Sequence, residues 1–265
     1  MFSKLTVKQL TRHSLIVANI SDVLVSGYWP RDRHVLRAEL RYPHRVRTRQ
    51  FLLRFIPADS VGAELGVFTG LFSAILARNR RISKVTFVDP WWKAFGSHYP
   101  DWGAYTDYGK VSTRCAYEIA GARITRANLP NRIVEIGYSY DWLAAQPDKS
   151  LDWVYLDSTH HYEGTKRELE LLDRKINDRG LILGDDWQIE RNHIHHGVCL
   201  AVNEFLKISN FELILAGDRG QWVLRRALDN ASAEYSLMLE NFEKVNYGRQ
   251  SSTYNNHQAE RGGAP

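Results

Sequence analysis

Carboxylates follow two apolar, partly β-branched runs of this 265-residue chain. Asp157 ends the run "LDWVYLD", and Asp185 and Asp186 end the run "GLILGDD". If both runs are parallel strands, the three side chains meet at one sheet edge, where they repel one another unless a cation neutralises them. All-oxygen ligands suit Mg²⁺, Mn²⁺ or Ca²⁺, and such an ion can hold a substrate hydroxyl and lower its pKa. We therefore predict a divalent metal site, with Mg²⁺ as the ion, at Asp157, Asp185 and Asp186. The alternative is a helix-cap or cofactor contact at Asp157 and a solvated aspartate pair.

A glycine-containing bend follows an earlier apolar run, in "VGAELGVFTGLFS". Glu64 lies two residues before Gly66, and Gly70 follows four residues later. A glycine turn after the first strand of an α/β sheet lets the backbone approach a ligand closely. This spacing does not meet the G-x-G-x-x-G pattern of nicotinamide dinucleotide sites. An acidic residue before the first glycine instead suits the cationic groups of S-adenosylmethionine, although a tight turn without a ligand is the simpler interpretation.

Two more polar residues lie where an adenosine ligand is contacted in such folds. Asp89 ends the run "KVTFVD", the position from which a carboxylate can bind ribose hydroxyls, and Ser139 follows the run "RIVEIGY". Asp89 could equally cap the loop that begins at Pro90. The ordered set favours S-adenosylmethionine over a nicotinamide cofactor. The predicted cofactor-binding residues are Glu64, Gly66, Phe68, Thr69, Gly70, Asp89, Ser139 and Asp157.

The elements that must position these residues form an alternating pattern from about residue 60. Seven short strands can be marked, and helical stretches follow the first, second, fourth and fifth of them, with none marked between the third and the fourth. The last two, "FELILAG" and "QWVLRR", are joined only by "DRG", which forbids a parallel crossover and requires an antiparallel hairpin. We predict an α/β, Rossmann-like, doubly wound seven-stranded sheet closed by an antiparallel β-hairpin. This arrangement resembles the fold of class I methyltransferases.

The segments "LDSTHHYEGTKRELELL", "GLILGDDW" and "GVCLAVNEF" resemble the macrocin O-methyltransferase group and related small class I methyltransferases with an "IDGDHSYE"-like segment. "ELGVFTG" resembles the first motif of that group, and the likeness covers residues 62–226. The resemblance implies a class I O-methyltransferase that uses S-adenosylmethionine and acts on sugar or phenolic hydroxyls. It also implies Mg²⁺ held by Asp157, Asp185 and Asp186.

The chain departs from the sugar-methylating branch at one position. That branch has an acidic general base two residues after the first metal aspartate, where this chain has Thr159. Threonine cannot accept a proton at neutral pH, so we assign the catalytic base to His160, whose ordinary pKa suits the task. His160 could equally orient Asp157.

Two segments near these residues have no assigned role. "RNHIHHG" supplies His193, His195 and His196, which are either polar surface or a substrate lid. The loop between Trp91 and Gly109 is long and aromatic, a composition typical of lids and binding loops, although such residues also pack a loop in place.

Composition places the chain among globular proteins, with 44% hydrophobic and 25% charged residues. The net charge of +5 is uneven, since residues 1–59 carry +7 and the remainder −2. A basic segment could face a nucleic acid, so an RNA methyltransferase or nucleic-acid-binding protein is the main alternative, and a NAD-dependent oxidoreductase is a weaker one. We favour a small-molecule substrate and no nucleic acid.

Only two cysteines occur, Cys115 and Cys199, which suits a reducing compartment. No run is long and apolar enough to span a bilayer and no signal peptide is evident, so we predict a cytoplasmic protein. We divide the chain into a basic N-terminal extension (1–59) that covers substrate or forms a subunit interface, a methyltransferase domain (60–227) and a partly helical, then mobile tail (228–265). A homo-oligomer is compatible with this division.

Overall fold

The computed structural model describes residue 20 and residues 22–42, 45–46 and 48–227. The predicted tail therefore lies outside the described residues, as does most of the first 20 residues. No helix in the described ranges is long and apolar enough to cross a membrane.

A seven-stranded sheet in the order β3-β2-β1-β4-β5-β7-β6 organises the described residues. β1, β2, β3, β4 and β5 pair in parallel, and β7 pairs antiparallel with both β5 and β6. The strands are β1 Ser60–Leu65, β2 Ile82–Asp89, β3 Arg132–Ile136, β4 Leu151–Leu156, β5 Ile176–Gly184, β6 Phe211–Asp218 and β7 Gln221–Arg226. The predicted fold is confirmed, and the strand order reverses beside β1, where ligands bind in such sheets.

Helices cover both faces of this sheet. They are α1 Arg33–Arg41, α2 Ser73–Arg78, α3 Trp92–Phe95, α4 Thr113–Thr125, α5 Ser139–Ala145, α6 Tyr162–Lys175 and α7 His196–Ile208, with short 3₁₀ helices at Gln50–Arg54 and Gly103–Thr106. Side chains alternate across the strands. Trp153 and Tyr155 of β4 join one buried apolar cluster, and Val154 and Leu156 join the other.

The closing hairpin turns at the residues that the short link predicts. Arg219 and Gly220 both have positive φ, +56° and +79°, as the tightest hairpin turns require. Glycine takes this conformation without strain, and the turn brings Gln221 and Trp222 to the edge of β5. This places the first residues of β7 beside Asp185.

Two boundaries differ from the sequence prediction. α6 ends at Lys175 and β5 begins at Ile176, although the pattern of "HYEGTKRELELLDRKIN" predicts a helix to about residue 177. Ile176 is fully buried and pairs with Leu151, so burial in the core ends the helix before Gly180. Helix α5 was not predicted, because its seven residues bury only Ser139 and Leu143.

The described part of residues 1–59 packs into the same core as the sheet. Val35, Leu52 and Ile56 belong to the cluster that contains Trp153. Glu39 of α1 binds Arg123 of α4 through two hydrogen bonds of 2.6 and 2.9 Å, and both side chains are fully buried. Buried pairs of this kind fix geometry more than they add stability.

Candidate active site

The bend after β1 requires its glycines. Gly66 has φ +94°, and a Cβ there would lie 1.9 Å from the carbonyl oxygen of Asp157. Gly70 has φ +74°, and a Cβ there would lie 2.9 Å from the Cα and Cβ of Ala120. No side chain fits at either place without moving backbone. The bend therefore lies directly on the end of β4 and on α4.

Asp89 holds this bend in place from the end of β2. Its Oδ2 accepts hydrogen bonds of 2.9 Å from the backbone N–H groups of Val67 and Phe68, and its Oδ1 accepts one of 2.8 Å from Trp91. The indole of Trp91 donates in turn to the carbonyl of Phe68 at 2.9 Å. Burial raises the pKa of Asp89, against the effect of these bonds. Asp89 thus organises the backbone where we predict the cofactor, and its contact with ribose stays a prediction.

A second buried acid, Glu64, precedes the bend. Glu64 is 2% exposed, and burial raises its pKa to about 8, although Ser73 and Arg49 oppose the shift. Its Oε2 has no hydrogen-bond partner among the described residues. Thr69 is buried, and its carbonyl accepts a 2.8 Å hydrogen bond from Arg123. Glu64 is therefore a buried acid with an unused oxygen at the bend.

Ser139 contacts an acid that the sequence analysis missed. The hydroxyls of Ser139 and Ser158 both donate to Oε1 of Glu168, which is 1% exposed. Burial raises the pKa of Glu168 to about 7, and its Oε2 has no partner among the described residues. Glu168 lies on α6, 29 residues from Ser139, so no local pattern links the two.

Arg49 lies between two of the predicted metal ligands. Its Nη2 is 2.9 Å from Oδ2 of Asp157, and its Nε donates to Oδ2 of Asp185 at 3.0 Å. The other oxygen of Asp185 accepts from the Gln221 side chain and from the backbone N–H of Asp186 at 2.8 Å. Burial alone would lower the pKa of Arg49, but the two aspartates raise it well above its ordinary value. Burial also raises the pKa of Asp157 to about 7, despite Arg49.

This arrangement differs from the predicted three-aspartate site. Asp157 and Asp185 share a guanidinium, whereas the carboxylate of Asp186 contacts His160 and His195. The cation that neutralises the first two carboxylates is a side chain of this protein. The residues present therefore do not fit the predicted Mg²⁺ at Asp157, Asp185 and Asp186.

Asp186 forms a separate cluster with two histidines. Its two oxygens contact Nδ1 of His160 and, at 2.8 Å, Nδ1 of His195, and the two imidazoles stack at 4.7 Å. Asp186 has φ +63°, a conformation uncommon outside glycine and typical of functional sites. Burial opposes the charge on His160, but the bond to Asp186 prevails and raises its pKa to about 9. Burial likewise opposes ionisation of Asp186, but both histidines lower its pKa.

Within the described ranges, this cluster is the group of donors close enough to hold a metal ion, with ligand atoms within 4.8 Å of one another. The other two histidines of the segment do not join it. His193 accepts a 3.1 Å bond from the backbone of His195, and His196 contacts the carbonyl of Gln188 at 2.8 Å.

The aromatic loop packs against the bend. Phe68 stacks on Tyr105 at 4.8 Å and meets Tyr99 edge-on at the same distance. Tyr99 and Trp102 continue the contact at 5.8 Å. The loop thus contacts the tip of the bend.

Comparison with known proteins supplies the activity. Residues 60–187 match the model of a family described as a methyltransferase domain. The protein is a methyltransferase. The matched residues of this methyltransferase extend from β1 to the aspartate pair, so they include the glycine bend and the carboxylates of both clusters, but not Arg49 or His195. Its fold implies S-adenosylmethionine as the methyl donor. No curated protein sequence matches it significantly.

Solved structures agree with the fold. A Corynebacterium glutamicum protein covers 80% of the methyltransferase and 97% of its own chain, with a TM-score of 0.51 and 14% identity. A cofactor-bound protein from MTB covers 86% of the methyltransferase and 100% of its own chain, with a TM-score of 0.50 and 14% identity. At this identity the likeness concerns the fold alone.

Proposed function

We propose that this methyltransferase uses S-adenosylmethionine to methylate a hydroxyl group of a small molecule. The observation that carries the proposal is the contact between the glycine bend and the end of β4. Gly66 lies against the backbone of Asp157 and Ser158, and His160 follows two residues later, bound to Asp186. A cofactor on the bend and a proton acceptor therefore lie at one edge of the sheet.

The residues of the bend fit S-adenosylmethionine. Bound there, it supplies a sulfonium methyl group that an acceptor oxygen attacks in line, so that the C–S bond breaks and S-adenosylhomocysteine leaves. The close packing at Gly66 and Gly70 leaves backbone as the ligand-facing surface, and Glu64 has a buried oxygen with no partner in the described ranges. A carboxylate beside the bend stabilises a cationic ligand, since it ionises more readily once the positive charge arrives. We assign cofactor contacts to Glu64, Gly66, Phe68, Thr69, Gly70, Asp89, Ser139 and Asp157.

His160 takes the acceptor's proton in this proposal. A sugar or phenol hydroxyl is a weak nucleophile until it loses its proton, and a positioned imidazole can remove it. Asp186 holds the ring through Nδ1, so Nε2 is the atom that accepts the proton. Because the pKa of His160 is raised to about 9, the base is protonated at neutral pH and becomes available as the pH rises.

No Mg²⁺ step is part of the proposal. Arg49 neutralises Asp157 and Asp185, and this pairing fixes the carboxyl ends of β4 and β5 beside the bend.

The N-terminal segment therefore contributes a positively charged side chain, Arg49, to the site itself. Arg45 is buried and Arg49 nearly so, which reduces the basic surface available to a nucleic acid. We infer that the described part of residues 1–59 forms a wall of the substrate site rather than a nucleic-acid-binding face.

The test is methyl transfer from labelled S-adenosylmethionine to a panel of sugars, phenols and RNA, in the presence of EDTA. The proposal expects labelled sugar or phenol and no labelled RNA. His160→Gln should lower kcat by roughly 10²- to 10⁴-fold while S-adenosylhomocysteine still binds. His161→Gln, a neighbouring exposed histidine, is the matched control. Activity lost in EDTA and restored by Zn²⁺ or Mn²⁺ would instead make His160 a metal ligand with Asp186 and His195.

A further inference from the structure

Arg45 is a buried cation with unused donors. The residue is 4% exposed, and its Nε and Nη1 have no hydrogen-bond partner among the described residues. Nη2 donates to the carbonyl of Tyr105 at 3.2 Å. A buried charged group left without partners is costly, so such donors indicate a missing acceptor.

Aromatic rings surround this guanidinium. Its Cζ lies 3.8 Å from the ring centroid of Tyr105, 5.1 Å from that of Phe68 and 5.3 Å from that of Tyr42. Phe68 is part of the glycine bend, so Arg45 lies over the tip of the proposed cofactor site. The rings stabilise the cation but offer it no hydrogen-bond acceptor.

The acids that act on Arg45 are already engaged. Glu39 gives both oxygens to Arg123, and the acids nearest to Arg49 are paired with Arg49 itself. Burial lowers the pKa of Arg45, and the positive charge of Arg49 acts in the same direction. The described residues thus leave Nε and Nη1 of Arg45 without a hydrogen-bond acceptor.

We propose that Arg45 binds a carboxylate group of a ligand seated on the glycine bend. A single carboxylate balances the single charge of the guanidinium and accepts from its N–H groups in a planar arrangement. A phosphate would bring a second negative charge close to Asp157 and Asp185. The carboxylate belongs either to the methionyl part of S-adenosylmethionine or to the methyl acceptor. The inference rests on the proposed function, because it takes the bend as the cofactor site.

Calorimetric titration with S-adenosylmethionine and with its decarboxylated analogue, which keeps the sulfonium and the amine, tests whether the carboxylate belongs to the cofactor. If Arg45 binds the methionyl carboxylate, the wild type should favour the full cofactor by about 10- to 100-fold, and Arg45→Met should abolish that preference. Arg45→Lys, which keeps the charge without the planar fork, should retain part of it. The control is Arg54→Met, which removes an exposed arginine that also stacks on aromatic rings, those of Phe51 and Phe55.

Whether the carboxylate belongs instead to the methyl acceptor is tested on protein saturated with S-adenosylhomocysteine. Benzoate is the probe, with benzyl alcohol as its neutral counterpart. If Arg45 binds an acceptor carboxylate, benzoate should bind the wild type better than benzyl alcohol, and Arg45→Met should lose this difference while its cofactor preference stays unchanged.

A wild type that binds both cofactors equally, and benzoate no better than benzyl alcohol, would overturn the inference. This comparison needs no variant, so it holds even if Arg45→Met fails to fold. A wild type that binds neither S-adenosylmethionine nor S-adenosylhomocysteine would instead overturn the proposed function.

Discussion

Replacing Arg49 with methionine tests how the carboxylates at the sheet edge are neutralised. The side chains of Arg49, Asp157 and Asp185 are 13%, 11% and 14% exposed, so Arg49→Met leaves two nearly buried carboxylates without their cation. Methionine keeps most of the side-chain volume, which limits the loss of packing. The variant therefore tests the loss of the positive charge of Arg49 separately from the loss of packing.

The size of the effect follows from the burial of the three groups. Removing one partner of a buried ion pair costs about 3–5 kcal/mol, because the remaining charge is desolvated and unpaired. For a domain of this size, 1 kcal/mol moves the melting temperature by roughly 2–4 °C, so the melting temperature should fall by roughly 6–20 °C. The cost should shrink towards about pH 5. Burial already raises the pKa of Asp157 to about 7 with Arg49 present, and without Arg49 this carboxyl protonates at still higher pH.

Thermal melts at about pH 5 and about pH 8, with and without Mg²⁺, measure this prediction. Arg49→Met should gain stability from Mg²⁺, because Asp157 and Asp185 then form an unpaired oxygen site of the kind that binds this ion. The wild type should not respond. Arg54→Met is the control for loss of an arginine in this segment and should melt like the wild type. Equal Mg²⁺ responses in wild type and Arg49→Met would refute the reasoning that Arg49 takes the place of the ion.

Three further predictions use other residues of the site. Glu64→Gln should raise the melting temperature near pH 8 and leave it unchanged near pH 4. The pKa of Glu64 is about 8 in the folded protein and lower in the unfolded chain, so the wild type loses stability as the pH rises between the two values. Equal effects of the substitution at both pH values would contradict this. Gly66→Ala should weaken S-adenosylhomocysteine binding by roughly 10-fold or more, since alanine is strained at φ +94° and its Cβ would clash with the Asp157 carbonyl. The control is Gly137→Ala, which has open space around the new Cβ and should bind the ligand like the wild type. The initial rate of methyl transfer should rise with pH up to about 9, where the pKa of His160 lies, and His160→Gln should lose this dependence; an unchanged pH profile in the variant would assign the base elsewhere.

Local sequence features predict much of the fold. Glycines at fixed spacing predict the bend, and the three-residue link "DRG" predicts the closing hairpin, because both depend on backbone conformation within a few residues. The boundary at Ile176 is different. Its burial against neighbouring strands ends the helix, and no residue near it signals that contact.

The partners of the site residues could not be predicted in the same way. Arg49 meets Asp185 across 136 positions of the chain, and Glu168 meets Ser139 from another helix. The excess positive charge of residues 1–59 indicates that arginines are available in this segment, but net charge does not identify which of them is buried in the site. The sequence places Asp157, Asp185 and Asp186 at one edge of the sheet. Which cation each of them binds depends on the tertiary structure.

The most direct test of the account is calorimetric titration of the wild-type protein with S-adenosylhomocysteine in the presence of EDTA. The account predicts saturable binding at one site per chain that EDTA does not weaken and that Gly66→Ala reduces. A folded protein that does not bind the ligand would contradict the assignment of the glycine bend as the cofactor site.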